Sequence, residues 1–421
     1  MIHIEEIAMT DDTAGGRCPF EGDRFPWPRA MQEVLQPPPR YASVRESEPI
    51  RRATTWDGNT VWVLTKMKDI REVLTSPHFS ASPQTHGYPS VSPARAAQSR
   101  SYRTFITMDP PEHGQYRRTL TKEFMMKRID ELRPFVQTTF DTLLDQMIEN
   151  GAPADFIRDV ALPLPSIVIS IMLGIPYEDH ARLQLLSSNR MRLDISPELL
   201  AQSAQEMEQY IDRLLREKEQ EPGDGEDLLS RLALEWINPG KLSHEDAVQM
   251  SVLLYLAGHE TTANQIGLGL LSLLQDPQQK AALIAEPSLA RGAVEEMLRF
   301  HSITHMNSAR VATADVMIAG QLIRKGEGVF APVQAANHDP EAFPDPERFD
   351  IRRDTKHASH VAFSFGVHQC LGQPLARLEL QVVFETLFKR LPSLRLAVPF
   401  EQLHFKCNGN VFGVETLPVA W

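Results

Sequence analysis

The sequence predicts a mainly α-helical chain with a smaller β-rich region, on three observations. Residues Ser243 to Gln275 carry one long helical pattern. It opens on Ser243 with Asp246 three residues on and ends at Asp276-Pro277. A second helical run, LGQPLARLELQVVFETLFKRL, starts directly after Cys370. Pro374 falls in its first turn, where a missing N–H costs nothing. Period-two alternation is confined to short stretches such as TVWVLT, which follows the turn Asp57-Gly58-Asn59.

In chain order, residues 1–40 are rich in Gly, Pro and charge and read as an irregular arm. Residues 49–66 form a hairpin candidate, and Lys68–Ser76 a short helix stopped before Pro77. Residues 79–105 lack periodicity, and a long loop in a compact protein is often functional. Pro110 and Pro111 open a helix carrying His113, Arg117, Arg118 and Lys122. Amphipathic helices are expected over 128–150 and 156–174, further helices over 178–220, then a surface linker, EPGDGED, at 221–227. The long 243–275 helix, at 1.5 Å per residue, would be on the order of 45 Å, enough to cross a domain. Ala290–Phe300 is another helix. A loop and strand-like residues follow, with turns at Gly320 and Gly326. Residues 394–421 alternate around Asn408-Gly409-Asn410 and suggest a closing hairpin.

Length alone, 421 residues, suggests two or three domains. With 42% apolar and 23% charged residues the chain can enclose a cofactor in a large core. A net charge of −12 argues against nucleic acid or an anionic membrane as partner. Cys18, Cys370 and Cys407 form no close pair, which fits a reducing compartment. The acidic N-terminus reads as neither signal peptide nor anchor. The longest apolar stretches, Ser251–Gly258 and Ile266–Leu274, are broken by HETTANQ, so no membrane span is expected and the cytoplasm is the expected location.

Chemistry concentrates in a few places. The stretch Phe363 to Gly372, FSFGVHQCLG, puts Cys370 just before a helix N-terminus, where free N–H groups and the helix dipole favour a thiolate. Gly366 and Gly372 would let the backbone turn close to a flat ligand. A buried free cysteine is the plainer reading of Cys370 alone. Midway along the long helix, AGHETT (Ala257–Thr262) places polar groups in an apolar rod, which is costly to bury without a use. Thr261 can bond the carbonyl one turn earlier and loosen the helix, while Ala257 and Gly258 leave room for a ligand. A polar kink without chemistry is the alternative. His113 and Arg117 are four apart and share a face, as a solvated basic face would also do. Glu296 and Arg299 can pair on one face, a common surface arrangement in isolation.

Phe363, Gly366, His368, Cys370 and Gly372, in this order and spacing, resemble the haem-binding loop of the cytochrome P-450 superfamily. AGHETT, Glu296 with Arg299, Pro346-Glu347-Arg348-Phe349 and DPPEH appear in that family's order across residues 109–372. One departure is Ser364, where many members carry Gly. The resemblance implies a single domain over 1–421, with haem b between the long I helix and the Cys loop with its L helix. It implies that Cys370 is the axial iron ligand, and that a thiolate there favours O–O cleavage. It implies Glu260 and Thr261 as the acid–alcohol pair of catalysis. Ala257, Phe363, Gly366 and Gly372 would contact the haem, and His113, Arg117, Arg310 and His368 would reach its propionates. Glu296, Arg299 and Arg348 would form a buried ion network.

The likeness to soluble bacterial members, especially actinomycete hydroxylases of macrolides and drugs, implies a monooxygenase. It would use dioxygen as co-substrate and hydroxylate or epoxidise a mostly apolar small molecule. No fused flavin or nicotinamide site is expected, so electrons would come from ferredoxin and ferredoxin reductase; Arg118, Lys122 and Arg377 are candidates for a basic docking patch, with a merely solvated set of charges as the alternative. A pocket lined by Tyr88, Phe105, Leu253, Ile303, His305, Asn307, Val411 and Phe412 is expected. Two rivals stay open: an NADH-dependent nitric oxide reductase of the same fold, and a haem-binding sensor or carrier without turnover. Against the first stand the absence of Lys and Arg over 79–94 and the presence of Glu260; the retained acid–alcohol pair speaks against the second.

Overall fold

A computed structural model describes residues 24–93, 95–97, 104–191, 195–304, 308–354, 359–407 and 411–421. Its α-helices of eight residues or more are α1 (Arg40–Ser47), α2 (Met67–Thr75), α3 (Glu112–Thr121), α4 (Arg133–Asn150), α5 (Pro163–Leu173), α6 (His180–Met191), α7 (Pro197–Gln220), α8 (His244–Gln275), α9 (Pro277–Ala285), α10 (Ala290–His301) and α11 (Gln373–Arg390). The longest, α8, is buried along nearly its whole length and packs against α5, α6, α7, α10 and α11. Ser243 caps it through a hydrogen bond from the Asp246 N–H, and Asp276 both ends it and caps α9.

Strands β1 (Ile50–Thr54) and β2 (Thr60–Leu64) form the expected hairpin. They extend into a five-stranded sheet, in the order β1-β2-β8-β5-β3, with β3 (Phe79–Ser80), β5 (Ala309–Ala312) and β8 (Gly328–Phe330). A short pair, β6 (Val316–Ile318) and β7 (Gln321–Ile323), stands apart. The third sheet joins β4 (Ala154–Asp155), β10 (Pro418–Ala420) and β9 (Arg395–Leu396).

Two expectations change. α5 is buried from Leu164 to Ser170 on every side, wedged between α8 and α4, so it is not amphipathic. The closing hairpin shrinks to the single bridge Phe405↔Val414, while the strands beyond it pair in the third sheet. Its turn, 408–410, lies outside the described residues. Among the described residues no helix is long and apolar enough to cross a membrane.

Candidate active site

A cavity of about 420 Å³ lies between the middle of α8 and the Cys370 loop. The loop is closed by the Cys370 N–H, which donates to the Phe363 carbonyl at 2.8 Å. Gly366 has φ +76, and a Cβ there would meet the Leu74 carbonyl of α2 at 2.7 Å, so this position requires glycine. Gly372 has φ −79, which any residue adopts, and a Cβ would approach only the Cys370 sulfur, at 4.0 Å. The conformational role expected of both glycines therefore belongs to Gly366. Ser364 has φ +62, a left-handed angle that explains why glycine suits its position.

The Cys370 side chain is accessible from the cavity, yet protein surrounds it. Burial pushes its thiol up; the backbone N–H groups of Gly372 and Gln373, together with Arg117 and Arg377, pull the other way without overcoming it. The helix N-terminus thus assists a thiolate, as the sequence suggested, but does not produce one unaided.

Four nitrogen donors gather at the cavity. His113 of α3 and His368 of the loop stand with ring centroids 4.3 Å apart. Arg117 donates to the Gln369 carbonyl at 2.6 Å, and Arg310 of β5 is buried with its guanidinium donating to the Ala309 carbonyl. His113 Nε2 and His368 Nδ1 are buried without a hydrogen-bond partner. Burial, then Arg310, His113 and Arg117, push His368 down to about 3, so this cluster of donors calls for anionic partners. A sulfur ligand and donors for two carboxylates are what haem b requires, and the residues present fit it.

Facing the sulfur, Ala257, Gly258, Thr261 and Thr262 line the cavity. Thr261 Oγ1 donates to the Ala257 carbonyl at 2.6 Å, one turn earlier. The space beside Gly258 is already used, since a Cβ there would lie 3.2 Å from Ile169 of α5. Glu260 points elsewhere. Its buried carboxylate accepts from Lys406 Nζ at 2.8 Å and from Ser188 Oγ of α6 at 3.1 Å. Burial would raise its pKa, but Lys406 and these hydrogen bonds outweigh that and hold it below its ordinary value. Neighbouring His259 lies 3.3 Å from Ser187 Oγ and is pushed down to about 4, chiefly by burial.

Tyr88, Phe105, Leu253 and Ile303 line the cavity, as does Arg95. Val411 and Phe412 do not. The Phe412 N–H donates to the Ile303 carbonyl, which turns its ring into a cluster with Val34, Leu268 and Cys407. Arg29 sits 3.9 Å from the centre of that ring. His305, Asn307 and Cys18 lie outside the described residues.

The ion network needs one correction. Glu296 and Arg299 form a buried pair at 2.8 Å. Arg348 contributes only its backbone carbonyl, because its side chain is 67% exposed and turned toward Asp350. Arg353 supplies the second guanidinium, 3.0 Å from Glu296. Of the basic patch, Lys122 pairs with Glu235, and Arg377 with Glu295 while covering the Phe363 ring. Arg118 remains exposed. The sequence reading missed Lys406, Ser188 and Arg353, which belong to no local pattern and reach the site only through tertiary contact.

The Cytochrome P450 family model matches residues 53–393. Cytochrome P450-SU2 of Streptomyces griseolus is 44% identical over 409 residues, 97% of this chain and 100% of that protein. The 20-oxo-5-O-mycaminosyltylactone 23-monooxygenase of Streptomyces fradiae is 40% identical, covering 98% of this chain and 94% of its own length. The crystal structure of GfsF superposes with a TM-score of 0.88 at 38% identity, covering 95% of this chain and all of that one.

Proposed function

The chain belongs to the cytochrome P450 family, and on that premise we propose how its residues serve the reaction. The protein is a haem-thiolate monooxygenase that uses dioxygen and two externally supplied electrons to hydroxylate or epoxidise a mostly apolar small molecule. Bound haem supplies the activation of dioxygen; the protein supplies ligand, pocket and protons.

Cys370 would supply the sulfur ligand to haem iron, and Arg117 and Arg377 would favour negative charge on it. His113, Arg117, Arg310 and His368 would hold the carboxylates of the haem. Ala257, Phe363 and Gly372 line the cavity and would contact the haem, and Gly366 would do so from a loop whose close approach to α2 requires glycine. Thr261 keeps a hydroxyl at the cavity face, where it can pass a proton. Glu260 supplies a carboxylate in the preceding position, tied to Lys406 and Ser188. Glu296 and Arg299, with Arg353, brace the core beneath the Cys loop. Tyr88, Phe105, Leu253 and Ile303 supply an apolar wall suited to a macrolide, steroid or terpene. The observation that carries these assignments is the Cys370 side chain opening on one cavity with Thr261 and the four nitrogen donors.

We place the electron supply with a separate ferredoxin and its reductase. One domain over residues 1–421 is supported by β2 pairing with β8 and β4 pairing with β10, which tie both ends of the described chain to its middle.

The test is a titration of the ferric protein with macrolides, steroids, terpenes and aromatics, following the Soret band. A shift toward high spin identifies the substrate class. No shift, together with NADH-driven decay of a nitric oxide complex, would replace this reading with a reductase.

A further inference from the structure

Glu295 of α10 has no part in the reading above. It stands beside Glu296 in the run Val294-Glu295-Glu296, yet the two carboxylates serve different neighbours. Glu296 closes on Arg299 and Arg353 in the core. Glu295 turns to α11 and the approach to the Cys370 loop. Its two oxygens accept from Arg377 Nε at 2.7 Å and from Arg377 Nη2 at 3.0 Å. His360 donates its Nε2–H to the same carboxylate at 3.0 Å. The proton is on Nε2 because His360 Nδ1 accepts from the Ala362 N–H at 3.2 Å.

Both groups that Glu295 holds pack on one aromatic ring. The Arg377 guanidinium lies 4.7 Å from the centre of the Phe363 ring, and the His360 ring centre lies 6.2 Å from it. Phe363 lines the cavity, and its carbonyl accepts the Cys370 N–H that closes the loop. Gln373 takes the remaining guanidinium nitrogen, Arg377 Nη1, at 2.9 Å. Every nitrogen of the fork is therefore engaged. A bidentate carboxylate with a ring beneath fixes a planar guanidinium, and an ammonium in its place would lose both features. Burial would raise the Glu295 pKa, but His360 and Arg377 bring it down to about 2, so the carboxylate is charged at neutral pH.

We propose that Glu295 is a positioning residue for the Cys370 loop: it holds the Arg377 guanidinium against Phe363 as a fixed positive charge, and so makes the bound haem easier to reduce. This role rests on the haem-thiolate reading.

The pair is partly open to solvent, with side chains 28% and 27% exposed, yet the cation is turned inward and already neutralised. That takes Arg377 out of the basic docking patch and gives it to the loop. Arg377 and Arg117 both favour negative charge on the Cys370 sulfur. Adding an electron at the iron increases the negative charge there, so a nearby fixed cation favours the reduced state. The same cation loose in water would be screened and would lose most of this effect.

The test is a spectroelectrochemical titration of the haem-loaded protein, with binding of an acidic bacterial ferredoxin measured on the same variants. The thiolate signature of the native carbon monoxide complex tests the reading on which the role rests, and the potentials of the variants test the role. Glu295→Ala should lower the reduction equilibrium constant roughly tenfold, about 59 mV for one electron, although it removes a negative charge. Arg377→Met should lower it by a similar factor. Arg377→Lys, which keeps the charge without the fork, should recover only part. The double variant Glu295→Ala with Arg377→Met should fall no further than either single, since both remove one arrangement. Ferredoxin affinity should stay native in Arg377→Met. A rise in potential in Glu295→Ala, or a double variant back at the native value, would show the carboxylate acting only as a charge and overturn the proposal. Full recovery by Arg377→Lys would overturn it too, as would a native potential in Arg377→Met with weakened ferredoxin binding. If Glu295→Ala does not fold, the two Arg377 variants decide the matter through the same potentials.

Discussion

Glu260 and Glu379 sit on two packed helices, both almost fully buried, and their surroundings have opposite effects. On the side of α8 that faces α6, Glu260 meets a lysine from the C-terminal segment and a serine hydroxyl. On the side that faces α11, Glu379 meets apolar side chains and one threonine. Desolvation acts on both, and the presence or absence of a paired cation decides the protonation state. One helix thus separates an ionised acid from a neutral one across the two threonines that open on the cavity.

The comparison can be broken at its base by Cys370→Ser, which should abolish the thiolate signature of the carbon monoxide complex entirely. If the signature survived, the cavity both acids flank would not be the haem site.

Glu379→Gln tests the neutral side. Its carboxyl rises from an ordinary 4.5 to about 8 in the fold, so between those values the folded state holds a proton the unfolded chain has lost. Stability therefore falls as pH rises through that window, at a cost of roughly 3 kcal/mol at pH 7. The variant escapes this cost. It should melt higher than the native protein at pH 7.5 and the same near pH 4.5, and equal melting at both would show that Glu379 is not held neutral.

Lys406→Met tests the ionised side and should cost about 2 kcal/mol, because Glu260 loses the cation that holds it charged. Glu260 should then gain a proton at neutral pH, adding a protonated-carboxyl C=O band to the infrared spectrum of the protein. An unchanged spectrum would mean the ion pair does not set its charge.

The smallest effect belongs to Ser364→Gly, which relieves a left-handed serine and should stabilise by about 1 kcal/mol. Both acids should keep their protonation states, and a change in the carboxyl region of the infrared spectrum would show that the Cys loop couples to them.

The features legible beforehand were those with local causes. Pro374 in the first turn marked the start of α11, Ser243 and Asp276 bounded α8, and Thr261 lies close enough along the helix to bond Ala257. The Cys loop was legible because its residues are contiguous. The misreadings have a common origin. Arg348 and Arg353 are both arginines near the same turn, and the path of the backbone decides which guanidinium reaches Glu296. Phe412 looks like a pocket residue until its N–H is seen bonded to Ile303 and its ring turned inward.

The sequence by itself determined which residue types could do chemistry and where helices begin and end, because capping, proline and hydrogen bonds one turn apart act within a few residues. Only the tertiary structure decided the charge on those residues. Lys406 lies 146 positions from Glu260, and α8, which packs against the helix of Glu379, ends more than a hundred positions before it. A protonation state depends on which side chains exclude water and which bring a counter-charge, and long-range packing alone brings those together.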